Sequence, residues 1–256
     1  MQTTIYRFDS VIDKLPLLWD NIPKSVAGGI LMYRYELHMH TRQGSACGQW
    51  DAQDMIRAYK EQGYAGAVIT DHFIGGNTRV DRSLPWDALV ESYASGYRQG
   101  LALARELDFD LMFGVEEGYG GGKEFLVYGI EPEFLLSRPF LRDAEIAVWS
   151  REVHAVGGVL IYAHPFRDRP YITDSRAMPD MSLADGVEIY NSWNRPEDNE
   201  EARRVFGDWD CIKIAGSDNH RGDMGKFSAV VFPNRIQNSA QLIQALKGGN
   251  YTLSLG

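Results

Sequence analysis

From Tyr33 to Gly256, short apolar or alternating runs take turns with longer amphipathic ones, and this alternation constrains the fold more than any other feature of the chain. YELHMHT, AGAVITDHF, DLMFGVEE, EFLVYGI, VLIYAHPF, DGVEIYN, CIKIAGSDNH and FSAVVFPN read as strands. DAQDMIRAYKEQG, the long WDALVESYASGYRQGLALARELD, RDAEIAVWSREVHAVGG, PEDNEEARRVFGDWD and SAQLIQALKGGN read as helices, several of them closed by glycine. Strands that alternate with helices imply a parallel sheet or barrel. About seven such units fit, and no GxGxxG follows the first strand. The expected fold is therefore α/β, a distorted TIM-like (β/α)7 barrel. Residues 1–30 show weak periodicity and end in the hinge-like SVAGGI; they are expected to form an N-terminal extension to a domain spanning 31–256.

The polar residues follow the same plan. Of the six histidines, His38, His40, His72, His164 and His220 lie at the downstream ends of expected strands. In parallel α/β barrels that edge is where sites are built. Glu116 and Glu117 end a strand, Asp71 precedes His72, and Asp218 stands two residues before His220. Imidazole and carboxylate together suit zinc, manganese or iron. His38 and His40 are two apart on a strand, so both side chains share a face, and Asp218 and His220 repeat that spacing. Glu116 has two oxygens with which to bridge two ions.

Other candidates are expected to be structural. His154 lies mid-helix and Cys211 opens an apolar strand. Glu117 is expected to orient a neighbour or face away. Glu188 either holds a histidine N–H or plays a structural part. The glycine run GYGGGKEF lacks the GK[ST] ending of a P-loop and is expected to be a loop near the metal edge.

In this order, ELHMHT, VITDH, GVEE, IYAHP and GSDNH resemble the polymerase and histidinol phosphatase family, the PHP domain. The resemblance covers most of the chain from about Tyr33. It implies a distorted barrel with two to three divalent metal ions (Zn, Mn or Fe) at the strand ends. It also implies hydrolysis of a phosphate ester by a metal-activated water. Carried over to this sequence, it gives His38, His40, Glu116 and Asp218 to the first metal. Glu116 and His164 go to the second, and His72 and His220 to a third. The sequence departs from the family twice. Glu124 falls near a position often held by a histidine ligand of the second metal. Cys47, in TRQGSACG, falls where a third-metal His or Asp often stands. Glu116, Asp218 and His220 are the expected catalytic residues. Arg42, Arg167 and Arg221, each just beyond a ligand motif, are the expected phosphate-binding residues, since a guanidinium matches two phosphate oxygens.

The formal net charge of -9 disfavours a long nucleic-acid track, which needs a basic surface. A small phosphorylated metabolite, nucleotide or short oligonucleotide is the expected substrate. The alternatives are a nuclease or exonuclease with a local basic groove, a non-catalytic metal-binding module and, more distantly, a hydrolase of C–N bonds. Two cysteines so far apart make no disulfide framework, and no signal peptide or membrane span is visible, so a cytoplasmic location is expected. Oligomeric state is not readable from these features.

Overall fold

The computed structural model describes residues 5–7, 32–222 and 225–256. Apart from the short strand β1 (Ile5–Arg7), the expected N-terminal extension lies outside the described residues. The strands form two sheets rather than one closed ladder. In the first, β1 pairs with β11 (Thr252–Ser254), followed by β10 (Ala229–Phe232), β2 (Tyr33–Met39), β3 (Gly66–Ile69) and β4 (Asp110–Phe113). In the second, β5 (Val115–Gly120), β6 (Lys123–Tyr128), β7 (Val159–Tyr162), β8 (Gly186–Asn191) and β9 (Ile212–Gly216) run in chain order.

The α/β class is as expected, but the two sheets form no closed (β/α)7 barrel among the described residues and their strand directions are mixed. The pairs within β2–β3–β4 and β7–β8–β9 are parallel. The β5–β6, β6–β7, β10–β2 and β10–β11 pairs are antiparallel. The reason is local. The GYGGGKEF stretch is too short to hold a crossover helix, so β5 turns back as a hairpin. Gly122 has φ +77°, and a Cβ there would collide with the Tyr171 carbonyl, so the turn needs glycine.

Helices cover the sheets. In α1 (Ala52–Glu61), Asp51 caps the start by accepting the Asp54 N–H at 2.9 Å, and Lys60 lies in the last turn. Ala52, Met55, Ile56 and Tyr59 form its buried stripe. They pack with Ala67 and Ile69 of β3, whereas Val68 joins the larger core on the opposite face. The expected long helix is divided into α2 (Trp86–Tyr93) and α3 (Ser95–Glu106) around Ala94. The remaining helices are α4 (Pro132–Leu136), α5 (Ile146–Ala155), α6 (Pro196–Phe206) and α7 (Ser239–Gly248). No described helix is long and apolar enough to cross a membrane.

Trp149 of α5 is almost fully buried and meets Phe73 and Phe125 edge-on, with ring centroids 6.0 and 5.9 Å away. Phe73 directly follows His72, and Phe125 directly follows Glu124. Trp149→Ala is expected to destabilise the protein by about 3–5 kcal/mol through the cavity it leaves. Urea unfolding checks this; a loss below about 1 kcal/mol would mean that the aromatic cluster does not brace the strands.

The two sheets meet at their strand tips. At one seam Asp218 N–H donates to His38 O at 2.8 Å and His40 N–H to Asn219 O at 3.0 Å. At the other, Glu116 N–H donates to Asp71 O at 3.0 Å and Phe73 N–H to Glu116 O at 2.7 Å. The backbone of the histidine and carboxylate motifs thus stitches the sheets together where their side chains converge.

Candidate metal centre

Glu116 lies at the centre of the polar cluster and is fully buried. Its Oε1 is 3.2 Å from His38 Nε2 and 3.1 Å from His164 Nε2. Its Oε2 is 3.3 Å from His40 Nε2 and 2.8 Å from His72 Nδ1. Asp218 Oδ1 lies 3.6 Å from His38 Nε2 and 3.0 Å from His40 Nε2. Glu124 closes another side, 3.1 Å from His72 Nδ1 and 3.6 Å from His164 Nε2. His220 stacks on His40 with ring centroids 4.4 Å apart. Every sequence-expected ligand is therefore in one cluster, although the residues come from strands of both sheets.

The ring tautomers follow from the groups behind them. Glu188 Oε1 accepts the His38 Nδ1–H at 2.9 Å, which turns the Nε2 lone pair towards Glu116. Behind His40, Ser45 Oγ donates to Asp71 Oδ1 at 2.7 Å, so it accepts the His40 Nδ1–H at 2.9 Å. The His40 Nε2 lone pair then also faces the cluster. His220 Nδ1–H donates to the Asp218 carbonyl at 2.8 Å, leaving its Nε2 as the lone-pair nitrogen. The backbone is itself constrained here, since the non-glycine residues His164 and Asp218 have φ of 29° and 54°. Such conformations persist only where the surroundings over-determine them.

Four buried atoms have no hydrogen-bond partner in this cluster: His38 Nε2, His40 Nε2, His72 Nδ1 and Glu116 Oε2. Each lies within 2.8–3.3 Å of an opposite number without making a hydrogen bond to it. An unsatisfied buried polar atom costs on the order of 1–3 kcal/mol, and native structures avoid it. Four in contact are what a set of cation ligands looks like. Ligand atoms of His38, His40 and Glu116, of His38, His164 and Asp218, of His72, Glu116 and Glu124, and of His40, His72 and His220 lie within 4.8 Å of one another in each group. The donor set, imidazole with carboxylate, fits divalent transition metals.

Electrostatics differ between the two rings of the HxH pair. Burial, with His220 and His72 nearby, holds His40 well below the usual imidazole range, so it is a neutral donor. Burial opposes charge on His38, but Glu188, Asp218 and Glu116 raise it well above that range. Glu116 and Asp218 are held well below the carboxylate range: burial opposes their ionisation, and the facing histidines, with Arg167 beside Asp218, overcome it. Burial pushes Asp71 up to about 6 against hydrogen bonds from Thr41 and Ser45. Burial likewise pushes Cys47 up, but hydrogen bonds to His220 and His72 outweigh it and bring the thiol down to about 6.

The remaining candidates take other positions. Glu117 Oε1 accepts the N–H groups of Gly75 and Gly118 at 2.5 and 2.7 Å and so fixes a loop beside the cluster. Arg167 is buried and donates to Asp218 Oδ2 at 2.5 Å, Asn191 Oδ1 at 2.9 Å and Asn194 Oδ1 at 2.8 Å. It neutralises one oxygen of Asp218 and leaves the other for His38 and His40. Arg42 is exposed and pairs with Asp51 at 3.2 Å, away from the cluster, and Arg221 donates to Gln49 Oε1 at 3.3 Å. His154 pairs with Asp185 at 2.8 Å on α5. Ser45 and Asn191 did not stand out in the sequence; their partners are distant along the chain, and no local pattern marks them.

Neither a family model nor a curated protein sequence matches this chain. Solved structures do. The fold is similar to that of a two-domain protein of Bacteroides vulgatus containing a predicted PHP-like metal-dependent phosphoesterase, with TM-score 0.63 and 17% identity over 91% of this chain and 68% of that one. It is similar to a Bifidobacterium adolescentis protein assigned as a metal-dependent phosphoesterase, with TM-score 0.54 and 14% identity over 83% of this chain and 95% of that one. It is also similar to a lesion-specific endonuclease of Pyrococcus furiosus, with TM-score 0.54 and 12% identity over 85% of this chain and 56% of that one. The chain shares the fold of PHP-like proteins, in agreement with the order of its motifs.

Proposed function

We propose that the protein is a metal-dependent phosphoesterase acting on a small phosphorylated substrate. The observation that carries this reading is the set of buried atoms of Glu116, His38, His40 and His72 left without hydrogen-bond partners, in groups of side chains close enough to hold an ion. The bridged tips of the two sheets support reading the fold as a distorted barrel whose ligands sit on the strand-end edge. His38, His40, Glu116 and Asp218 would hold a first ion, Glu116, His164 and Glu124 a second, and His72 with His220 a third, each zinc, manganese or iron. Such ions supply Lewis acidity, which activates water near neutral pH and offsets charge on phosphoryl oxygens.

The chain's own groups do the rest. Glu188 and the Ser45–Asp71 relay keep His38 and His40 in the tautomers that present Nε2. Arg167 holds Asp218 in place through Oδ2. His220 stands at the edge of the cluster and is partly exposed; as the alternative to holding a third ion, its protonated ring would give a proton to the leaving oxygen.

The structural neighbours include phosphoesterases and an endonuclease, so a small phosphate ester and a nucleic acid are both candidate substrates. The small-substrate reading is favoured by the arginines. Arg79 donates to the Ala46 carbonyl, Arg82 to those of Ile74 and Gly76, and Arg42 to Asp51, so these three tie down loops. The net charge of -9 points the same way.

The test is turnover of a generic phosphomonoester and a generic phosphodiester, side by side, by protein reloaded with manganese or zinc. Metal-dependent turnover is expected, and His40→Ala should lose it. Preference for the diester, extended to oligonucleotides, would move the reading to a nuclease. Folded, metal-loaded protein that turns over neither ester would move it to a binding module.

A further inference from the structure

The stretch between β7 and β8, from Ala163 to Asp185, contains no helix or strand. Loops longer than about 12–15 residues without secondary structure are uncommon in compact domains, and most that occur in ordered form serve function. This one starts at the centre. Arg167 donates to Asp218 Oδ2, and Arg169 Nη2 donates to the Trp193 carbonyl at 2.7 Å, so the chain crosses the tip of β8. It then turns, with Ile172 N–H donating to Arg169 O at 3.0 Å. At the β5–β6 hairpin Thr173 N–H donates to Gly121 O at 2.9 Å. The segment thus runs from the Asp218 side of the cluster to the side of Glu124, which follows Lys123 on β6.

The hairpin is built to hold this segment. Lys123 is half-buried, and its Nζ donates to Pro165 O at 2.9 Å and to Ala177 O at 2.8 Å. One ammonium therefore ties the start of the loop to its far side. Gly122 completes the seat, since only a residue without Cβ leaves room for the Tyr171 carbonyl. Asp174 Oδ1 shapes the return by accepting the N–H groups of Arg176 and Ala177 at 2.9 and 3.1 Å. His164 does not depend on this clamp, because Glu188 accepts its N–H at 3.0 Å. Tyr171 and Met178, 58% and 53% exposed, are the large hydrophobic side chains that this stretch leaves in solvent. Tyr171 stands on a backbone fixed on both sides, and a rigidly held tyrosine offers contact area at low entropic cost.

We infer that residues 169–177 form the wall that receives the leaving group of the substrate, and that Lys123 is the positioning residue that fixes this wall against the hairpin. The wall presents an aromatic ring, so the leaving group it suits carries a planar apolar ring. This rests on the phosphoesterase reading of the site. The clamp acts on binding and not on the chemical step, because the loop beyond Arg169 holds none of the proposed metal ligands.

Trypsin reads the clamp without any need for turnover, since Arg176 is exposed and the carbonyl of the next residue is the one Lys123 holds. Cleavage after Arg176 is expected to be at least about tenfold faster in Lys123→Met than in the parent. Lys123→Arg, which keeps a donor, should stay near the parent rate. Equal rates in the parent and Lys123→Met overturn the clamp. Steady-state kinetics of the manganese-loaded protein on naphthyl phosphate and ethyl phosphate read the wall. The parent should show the lower KM for naphthyl phosphate. Lys123→Met and Tyr171→Ala should each raise that KM by about five- to tenfold, with kcat and bound manganese, by elemental analysis, close to the parent. The KM for ethyl phosphate should not move. A parent KM no lower for naphthyl phosphate, or one unchanged in Tyr171→Ala, overturns the wall. Loss of kcat together with manganese in Lys123→Met would place Lys123 on the centre instead and overturn its assigned role. A manganese-loaded parent that turns over neither ester overturns the phosphoesterase reading and the wall with it, while trypsin still decides the clamp.

Discussion

Glu116→Ala is expected to lower phosphoester turnover by about a thousandfold or more and to strip the centre of bound metal. No other residue touches so much of the site. Its carboxylate is fully buried, with the ring nitrogens of His164, His38, His40 and His72 at 3.1, 3.2, 3.3 and 2.8 Å. Two of these face each oxygen, so one substitution removes a ligand shared by neighbouring positions. Glu116→Gln is the sharper variant. It keeps the shape, but its amide hydrogens would point at nitrogen lone pairs held in place by Glu188 and Ser45. A glutamine variant that folds, by circular dichroism, but binds no metal separates loss of the ligand from loss of the fold. Full metal-dependent activity in either variant would remove Glu116 from the mechanism.

Glu188→Ala is expected to weaken metal binding by about 10–100-fold while leaving every proposed ligand in place. Glu188 is itself fully buried. Its Oε1 accepts the His38 Nδ1–H, and its Oε2 accepts the His164 N–H at 3.0 Å and the Asn191 Nδ2–H at 2.9 Å. Asn191 also donates to Asp218 Oδ2 at 3.3 Å, so one carboxylate orients two histidines and steadies an aspartate. Without it, His38 is free to present either nitrogen. Gly216 lies so close that a Cβ there would strike Glu188 Oε1, which explains a glycine at the end of β9. Competition against a chelating dye measures the affinity. Parent-like affinity in Glu188→Ala would show that His38 needs no anchor.

The clustered histidines and carboxylates were legible in the sequence because each stands at a strand end, and strand ends follow from short-range periodicity. His38, His40, His72, Glu116, His164, Asp218 and His220 all reach one cluster. The groups behind them were not legible, because their pairings are tertiary. Ser45 and Asp71 are 26 residues apart, Arg167 and Asp218 are 51, and His38 and Glu188 are 150. Glu188 was marked as either an anchor or a structural residue, and its hydrogen bonds place it on His38. Arg167 was expected to meet phosphate because it stands just beyond a ligand motif; that Asp218 lies beside it is visible only in the fold.

The sheet was legible as alternating strands and helices but not in its strand directions. Alternation of buried residues is the same in parallel and antiparallel strands, so EFLVYGI gave no sign that β6 runs against both neighbours. The break between α2 and α3 was hidden for a similar reason. The amphipathic pattern continues through Ala94, and alanine is a good helix former.

The central claim is that the cluster around Glu116 is a metal centre. Crystals soaked with zinc or manganese, with diffraction recorded at that metal's absorption edge, test it most directly. The account predicts anomalous peaks enclosed by His38, His40, Glu116 and Asp218 and, adjacent to it, by Glu116, His164 and Glu124. Peaks confined to surface carboxylates, with no density among these histidines, would contradict it.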